Sequence, residues 1–152
     1  MRKSIRLKNY NYNSNGYYFI TICTAMRHPY LEQFKSEAEN ILQLLPERFP
    51  GLSIDYYAFL HSHMHAIFIL ENAEKSLSEI IRTYKALVTK TTRIKPFWEW
   101  NYYEHIIRNE KALYEIRKYI QENPLKEKMD LNQIYSRINA TATNKIAQDN
   151  KK

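Results

Sequence analysis

The stretch Ile54-Asp55-Tyr56-Tyr57-Ala58-Phe59-Leu60-His61-Ser62-His63-Met64-His65-Ala66-Ile67-Phe68-Ile69-Leu70 decides how the chain is read. Its two halves are rich in aromatic and β-branched residues and are parted by the short polar connection His61-Ser62. That pattern predicts two consecutive strands, 54–60 and 63–70, joined by a tight turn. Upstream, Gly16 introduces a similar run, Tyr17-Tyr18-Phe19-Ile20-Thr21-Ile22-Cys23, which predicts the first strand. Residues 36–48 place Ala38, Ile41, Leu42, Leu44 and Leu45 at helical spacing, with Ser36 a candidate N-cap and Pro46 expected to end or bend the helix. Downstream, Ser76 or Ser78 caps a helix through about Thr92 whose apolar stripe is Leu77, Ile80, Ile81, Tyr84, Leu87 and Val88. After Pro96, residues 97–107 alternate as a fourth strand. Asn109 or Glu110 then opens a last helix through Asn123, stopped by Pro124. The order strand, helix, strand, strand, helix, strand, helix predicts an α+β fold. It is a ferredoxin-like (RRM-like) split βαβ sandwich, with an antiparallel sheet, helices on one face and an added C-terminal helix.

The chain has 152 residues, 44% hydrophobic and 26% charged, which suits one globular domain and excludes wholesale disorder. The domain is expected over 1–137, with a basic arm over 1–16 and a polar tail over 138–152 that frays. No apolar run approaches the roughly 18 residues that cross a bilayer, and the basic N-terminus lacks the apolar core of a secretory signal. Cys23 stands alone, which excludes an internal disulfide and a cysteine-built zinc site. The expected compartment is the cytoplasm, with no membrane partner. Lys and Arg number 23 against 16 Asp and Glu, a net charge of +7, which favours anionic partners. Thirteen tyrosines among these cations suit single-stranded nucleic acid, where bases stack on rings and phosphates meet Lys and Arg. The same composition is also what a low-GC genome gives.

Chemistry concentrates in two places. His63 and His65 flank Met64 in a strand, so both imidazoles share a face and can grip a divalent cation, or can simply be two satisfied histidines at a strand end. His61 would share that face only if the strand ran back through the turn, which is expected to break the alignment. On the last helix Tyr119 and Asn123 are one turn apart on one face. They could be a phenol nucleophile beside a metal, or a core tyrosine and a helix-ending asparagine.

Several blocks together resemble a known family. These are Arg6-Leu7, Tyr10-Asn11-Tyr12, Gly16, Tyr18-Phe19-Ile20-Thr21, Cys23-Thr24 and Arg27, followed by His63-Met64-His65 and Phe97-Trp98-Glu99. Then come Tyr102-Tyr103-Glu104-His105-Ile106-Ile107-Arg108-Asn109-Glu110, Tyr119-Ile120 and Asn123-Pro124. In this order, over roughly residues 6–126, they resemble the REP-associated tyrosine transposases. Those are relatives of the single-tyrosine transposases of small bacterial insertion sequences, within the HUH (His-hydrophobic-His) nuclease superfamily. Two positions depart from many relatives: Ser62 where Asn or Asp precedes the first motif histidine, and Trp100 where Arg is common.

The resemblance implies a single-strand DNA nicking-and-rejoining enzyme. It implies that His63, His65 and Asn123 hold a divalent cation, Mg²⁺ or Mn²⁺, and that Tyr119 is the nucleophile of a 5′-phosphotyrosine intermediate. Tyr114, Tyr102 and Tyr103 compete for that role, but only Tyr119 has an asparagine one turn later. The implied partner is single-stranded or hairpin DNA, met by Arg6, Lys8, Arg82, Lys85, Arg93 and Arg108, with Arg2, Lys3 and Lys95 as further cations facing it. Relatives include both homodimers and monomers. Two other readings stay open: a domesticated DNA-binding protein without cleavage, and an RRM-like RNA-binding module using Tyr17, Phe19 and Phe68.

Overall fold

The structure is a computed structural model and describes residues 15–122. Strand β1 (Gly16–Cys23) leads through a 3-10 turn (Ala25–Arg27) and a short α1 (Tyr30–Gln33) into α2 (Lys35–Arg48). Next come β2 (Leu52–Phe59), β3 (His63–Leu70), α3 (Leu77–Thr92), β4 (Tyr103–Ile107) and α4 (Glu110–Glu122). The four strands lie in the order β2-β3-β1-β4 with every neighbouring pair antiparallel, the split βαβ arrangement that the element order predicts. No described helix is long and apolar enough to cross a membrane.

The sheet is buried on both faces, and that explains why β1 and β3 are almost continuously apolar rather than alternating. Tyr18, Ile20 and Ile22 of β1 join Met64, Ala66, Phe68 and Leu70 of β3 in the core beneath α2 and α3. A buried hydrogen bond of 3.0 Å from Tyr84 Oη to the Ala38 carbonyl ties α3 to α2 in this layer. Phe19 and Ile67 face the opposite way and meet Ala112, Ile116, Tyr119 and Ile120 of α4. The fourth helix therefore roofs the face that carries the histidines.

A bulge in β2 fixes how that roof sits. Ile54 pairs with Phe68 and Tyr57 with Ala66, so Asp55 and Tyr56 together oppose Ile67. The extra residue shifts the alternation: Ile54 and Tyr57 pack on the α2–α3 core, whereas Tyr56 and Ala58 pack on the α4 core. Asp55 uses the shift to reach α4, where Arg117 Nε and Nη2 donate to its two oxygens at 2.7 and 3.1 Å. The Arg117 guanidinium also lies over the Tyr56 ring, 5.7 Å from its centre.

Three expectations need correction. Ser36 does not cap α2, which starts at Lys35 behind Phe34 with no side-chain cap. Pro46 does not end α2, which continues to Arg48, because a proline this late removes little of the remaining ladder and Phe49 N still bonds the Leu45 carbonyl at 2.9 Å. The fourth strand is only Tyr103–Ile107. Residues 97–102 form a loop that touches the sheet through one bridge, Thr24 to Trp98, because Phe97 and Trp98 both turn into the α2–α3 core instead of alternating. Elsewhere the predicted elements match closely. Ser76 caps α3, its Oγ accepting from Glu79 N, and Asn109 Oδ1 accepts from Ala112 N at the head of α4.

Candidate active site

β3 begins at His63, and the pleat sets His63 and His65 side by side on the α4 face while Met64 enters the other core. Their ring centres are 4.9 Å apart. His65 is fully buried. Phe19 stacks on it at 5.6 Å, and the Tyr119 ring meets it edge-on at 5.4 Å and 73°. In the β1–β3 register Thr21 lies directly opposite His65 and Cys23 opposite His63. The Thr21 hydroxyl and His65 Nδ1 form a buried hydrogen bond of 2.9 Å.

Electrostatics keep both imidazoles neutral. Burial lowers His63 from the ordinary histidine value to about 4, with the charges of Arg27 and His61 acting in the same direction. Burial drives His65 well below that ordinary value, with His63 adding to the effect. His63 Nδ1 and His65 Nε2 are buried without a hydrogen-bond partner among the described residues. Two neutral, orphaned imidazole nitrogens on one rigid strand face are what a divalent cation takes as ligands. Among the described residues no three His, Cys, Asp or Glu side chains converge, so the pair needs a donor of another kind or from elsewhere. The expected third ligand, Asn123, lies outside the described residues.

Tyr119 belongs to the buried stripe of α4 with Ala112, Ile116 and Ile120, and is 3% exposed. Of the tyrosines that compete as nucleophile, Tyr114 points to solvent and the Tyr102 hydroxyl donates to Glu104 at 3.0 Å. Tyr103 is on β4, itself part-exposed. The Tyr119 ring reaches His65. His61 precedes the strand in a bend and is exposed, as the turn implies.

The cations divide. Arg82, Arg93, Lys95 and Arg108 are exposed. Arg2, Lys3, Arg6 and Lys8 lie outside the described residues. Lys85 is committed to the fold: its ammonium donates to the carbonyls of Glu99, Trp100 and Asn101 at 2.8, 3.3 and 3.2 Å. The sequence reading missed two contributions to the site. Thr21 is a lone hydroxyl in an apolar strand, and burying it without a partner is costly, which was the signal that it meets a polar group. The Asp55–Arg117 pair depends on the bulge, for which the sequence offers no comparable signal.

Known proteins supply context for this geometry. The chain is 33% identical over 159 aligned positions to an uncharacterized protein of Haemophilus influenzae, covering 82% of this chain and 88% of that protein. It is 28% identical over 117 positions to a REP-associated tyrosine transposase of Escherichia coli, covering 76% and 70% of the two. Among solved structures it resembles a REP-associated tyrosine transposase bound to a REP hairpin. The TM-score is 0.69 and the identity 25%, over 84% of this chain and 74% of the other. A Deinococcus radiodurans protein described as a candidate transposase shares the fold, with a TM-score of 0.53 and 16% identity over 80% of this chain and 97% of that one. No protein-family model matches the chain.

Proposed function

The chain belongs to the REP-associated tyrosine transposases, and from that premise we propose that it cuts and rejoins single-stranded DNA next to a hairpin, with Tyr119 as nucleophile. The observation that carries the proposal is the meeting of Tyr119 with His65 beside two orphaned imidazole nitrogens. The hairpin in the related solved complex supports hairpin DNA as the substrate class.

His63 through Nδ1 and His65 through Nε2 would hold a divalent cation, Mg²⁺ or Mn²⁺, with Asn123 one turn beyond Tyr119 as a further ligand. When bound, that ion offsets the negative charge developing on the phosphate oxygens. Thr21 fixes the ring that must bind: with His65 Nδ1–H donating to Thr21 Oγ1, the lone pair stands on Nε2. Tyr119 Oη forms a bond to phosphorus as the bond from phosphorus to the 3′-oxygen breaks. The phenol proton leaves and the 3′-oxygen takes up a proton, giving a 5′-phosphotyrosine and a free 3′-hydroxyl. The stored ester then allows a second 3′-hydroxyl to attack and reseal without an external energy source. Because Tyr119 is only 3% exposed, the phosphate reaches the phenol when the side chain or α4 shifts, and the Asp55–Arg117 pair bounds that movement.

The test is a covalent adduct. Wild-type protein incubated with labelled hairpin DNA and Mn²⁺ should give a denaturation-resistant protein–DNA species. Tyr119→Phe should abolish it and Tyr114→Phe should retain it. An adduct at the wild-type rate in Tyr119→Phe places the nucleophile elsewhere. Hairpin binding with no adduct in the wild type makes the protein a DNA-binding protein without cleavage.

A further inference from the structure

The loop between α3 and β4 places its phenylalanine and two tryptophans differently. Phe97 and Trp98 are buried in the core, whereas Trp100 is 91% exposed. An indole on a floppy loop would call for no account, but this loop is held from several sides. Ala25 N donates to the Phe97 carbonyl at 2.9 Å and Glu99 N to the Cys23 carbonyl at 2.8 Å. Arg27 and Glu99 form an ion pair at 3.3 Å. Lys85, partly buried and with its pKa lowered by that burial, gives its three N–H donors to the consecutive carbonyls of Glu99, Trp100 and Asn101. The backbone around Trp100 is therefore rigid, and the indole is presented rather than loose.

Trp100 walls a groove of about 760 Å³ together with Lys90, Arg93, Lys95 and Pro96. Lys90, Arg93 and Lys95 are exposed, and the lining carboxylate, Glu99, is already neutralised by Arg27. The groove is thus an aromatic plane set among cations. Its Glu99 wall is tied to the end of the sheet that carries His63, since the Cys23 carbonyl that holds Glu99 belongs to the residue opposite His63.

We propose that this groove holds an unpaired nucleotide of the DNA substrate, its base stacked on Trp100 and its neighbouring phosphates on Arg93 and Lys95. The inference rests on the reading of the protein as acting on hairpin-bearing single strands. Its physical basis is that a projecting ring needs a free base face, which a duplex keeps stacked and a single strand exposes. The surrounding cations select a polyanion over an apolar peptide. Lys85 is a positioning residue here, because its charge is spent on the loop and not on phosphate.

The experiment measures binding rather than cleavage, using full-length Tyr119→Phe protein and fluorescent DNAs at fixed salt. One DNA is a blunt hairpin stem, and the other carries the same stem with a single-stranded extension. The extension should tighten binding, and Trp100→Ala should remove only that gain, weakening the extended hairpin about 5- to 100-fold. The blunt stem should stay within twofold. Trp100→Phe should restore part of the gain, and Lys85→Met should lose part of it by loosening the loop. Tryptophan emission should be quenched by the extended hairpin in protein containing Trp100 and not in Trp100→Ala. Equal loss for both DNAs, or no loss for either, overturns the assignment. If wild-type protein forms no covalent adduct yet Trp100→Ala still loses the extension, the cleavage reading fails and this one stands. If the adduct forms and Trp100 makes no difference, only this one fails.

Discussion

Thr21 and His65 face each other across β1 and β3, joined by a buried 2.9 Å hydrogen bond between positions that the strand register sets directly opposite. A histidine can offer a metal only the nitrogen that lacks a proton, so a hydroxyl that accepts from Nδ1–H leaves Nε2 as the one offered.

Thr21→Val keeps the side-chain shape and deletes that partner. Mn²⁺ affinity should fall about 10- to 100-fold by calorimetric titration. The Thr21→Ser variant, which keeps a hydroxyl, should recover most of it. Unchanged affinity in Thr21→Val would sink the role assigned to the hydroxyl.

Acid should unfold the protein through the histidines. His63 titrates near 4 in the folded chain and His65 is also lowered, whereas the ordinary histidine value is about 6.5. Between those values the unfolded chain binds more protons, so this part of the stability is whole above pH 6.5 and is lost as pH falls toward 4. Urea midpoints measured from pH 7.5 to 4.5 should therefore fall less steeply in His63→Gln than in the wild type. Parallel slopes would contradict the buried neutral imidazole.

Removing the metal should stop chemistry and spare binding. EDTA, or His63→Ala combined with His65→Ala, should abolish the adduct while hairpin affinity stays within a fewfold by anisotropy. An adduct that persists undiminished in EDTA ends the metal assignment.

The Asp55–Arg117 pair should matter to rate more than to metal affinity. Arg117→Met keeps much of the aliphatic stem and deletes the fork that holds α4 to β2. Single-turnover adduct formation should slow about tenfold. Mn²⁺ affinity should be unchanged, and Asp55→Asn should add little further loss in the double variant. Additive losses would show that the two residues act separately.

Much of the fold was legible because its signals are local. The aromatic and β-branched runs bounded by Gly16 and by His61-Ser62 mark the strands, and Ser76 and Asn109 mark helix starts. The segment 97–102 misled because Trp98, Trp100 and Tyr102 alternate with Glu99 and Asn101 as a strand would, although a lysine sixteen residues from Asn101 holds that backbone as a loop. At the site, the His63–His65 face follows from strand geometry alone, but the approach of Tyr119 depends on α4 crossing the sheet. That crossing is set by contacts between distant segments, such as Arg117 with Asp55, which no periodicity encodes.

The bulge in β2 is the place where that strand can lose a residue without exchanging its faces, so what its extra residue supplies is a contact. Most single substitutions between Ile54 and Ala58 change one contact. Removing Asp55 would close the bulge into regular pairing, with Tyr57 still opposite Ala66 on the α2–α3 side and Ala58 still toward α4, yet α4 would lose its ion pair to β2. One missing codon there would therefore leave the sheet pairing and every residue proposed for the reaction centre in place while cutting a tie that seats α4.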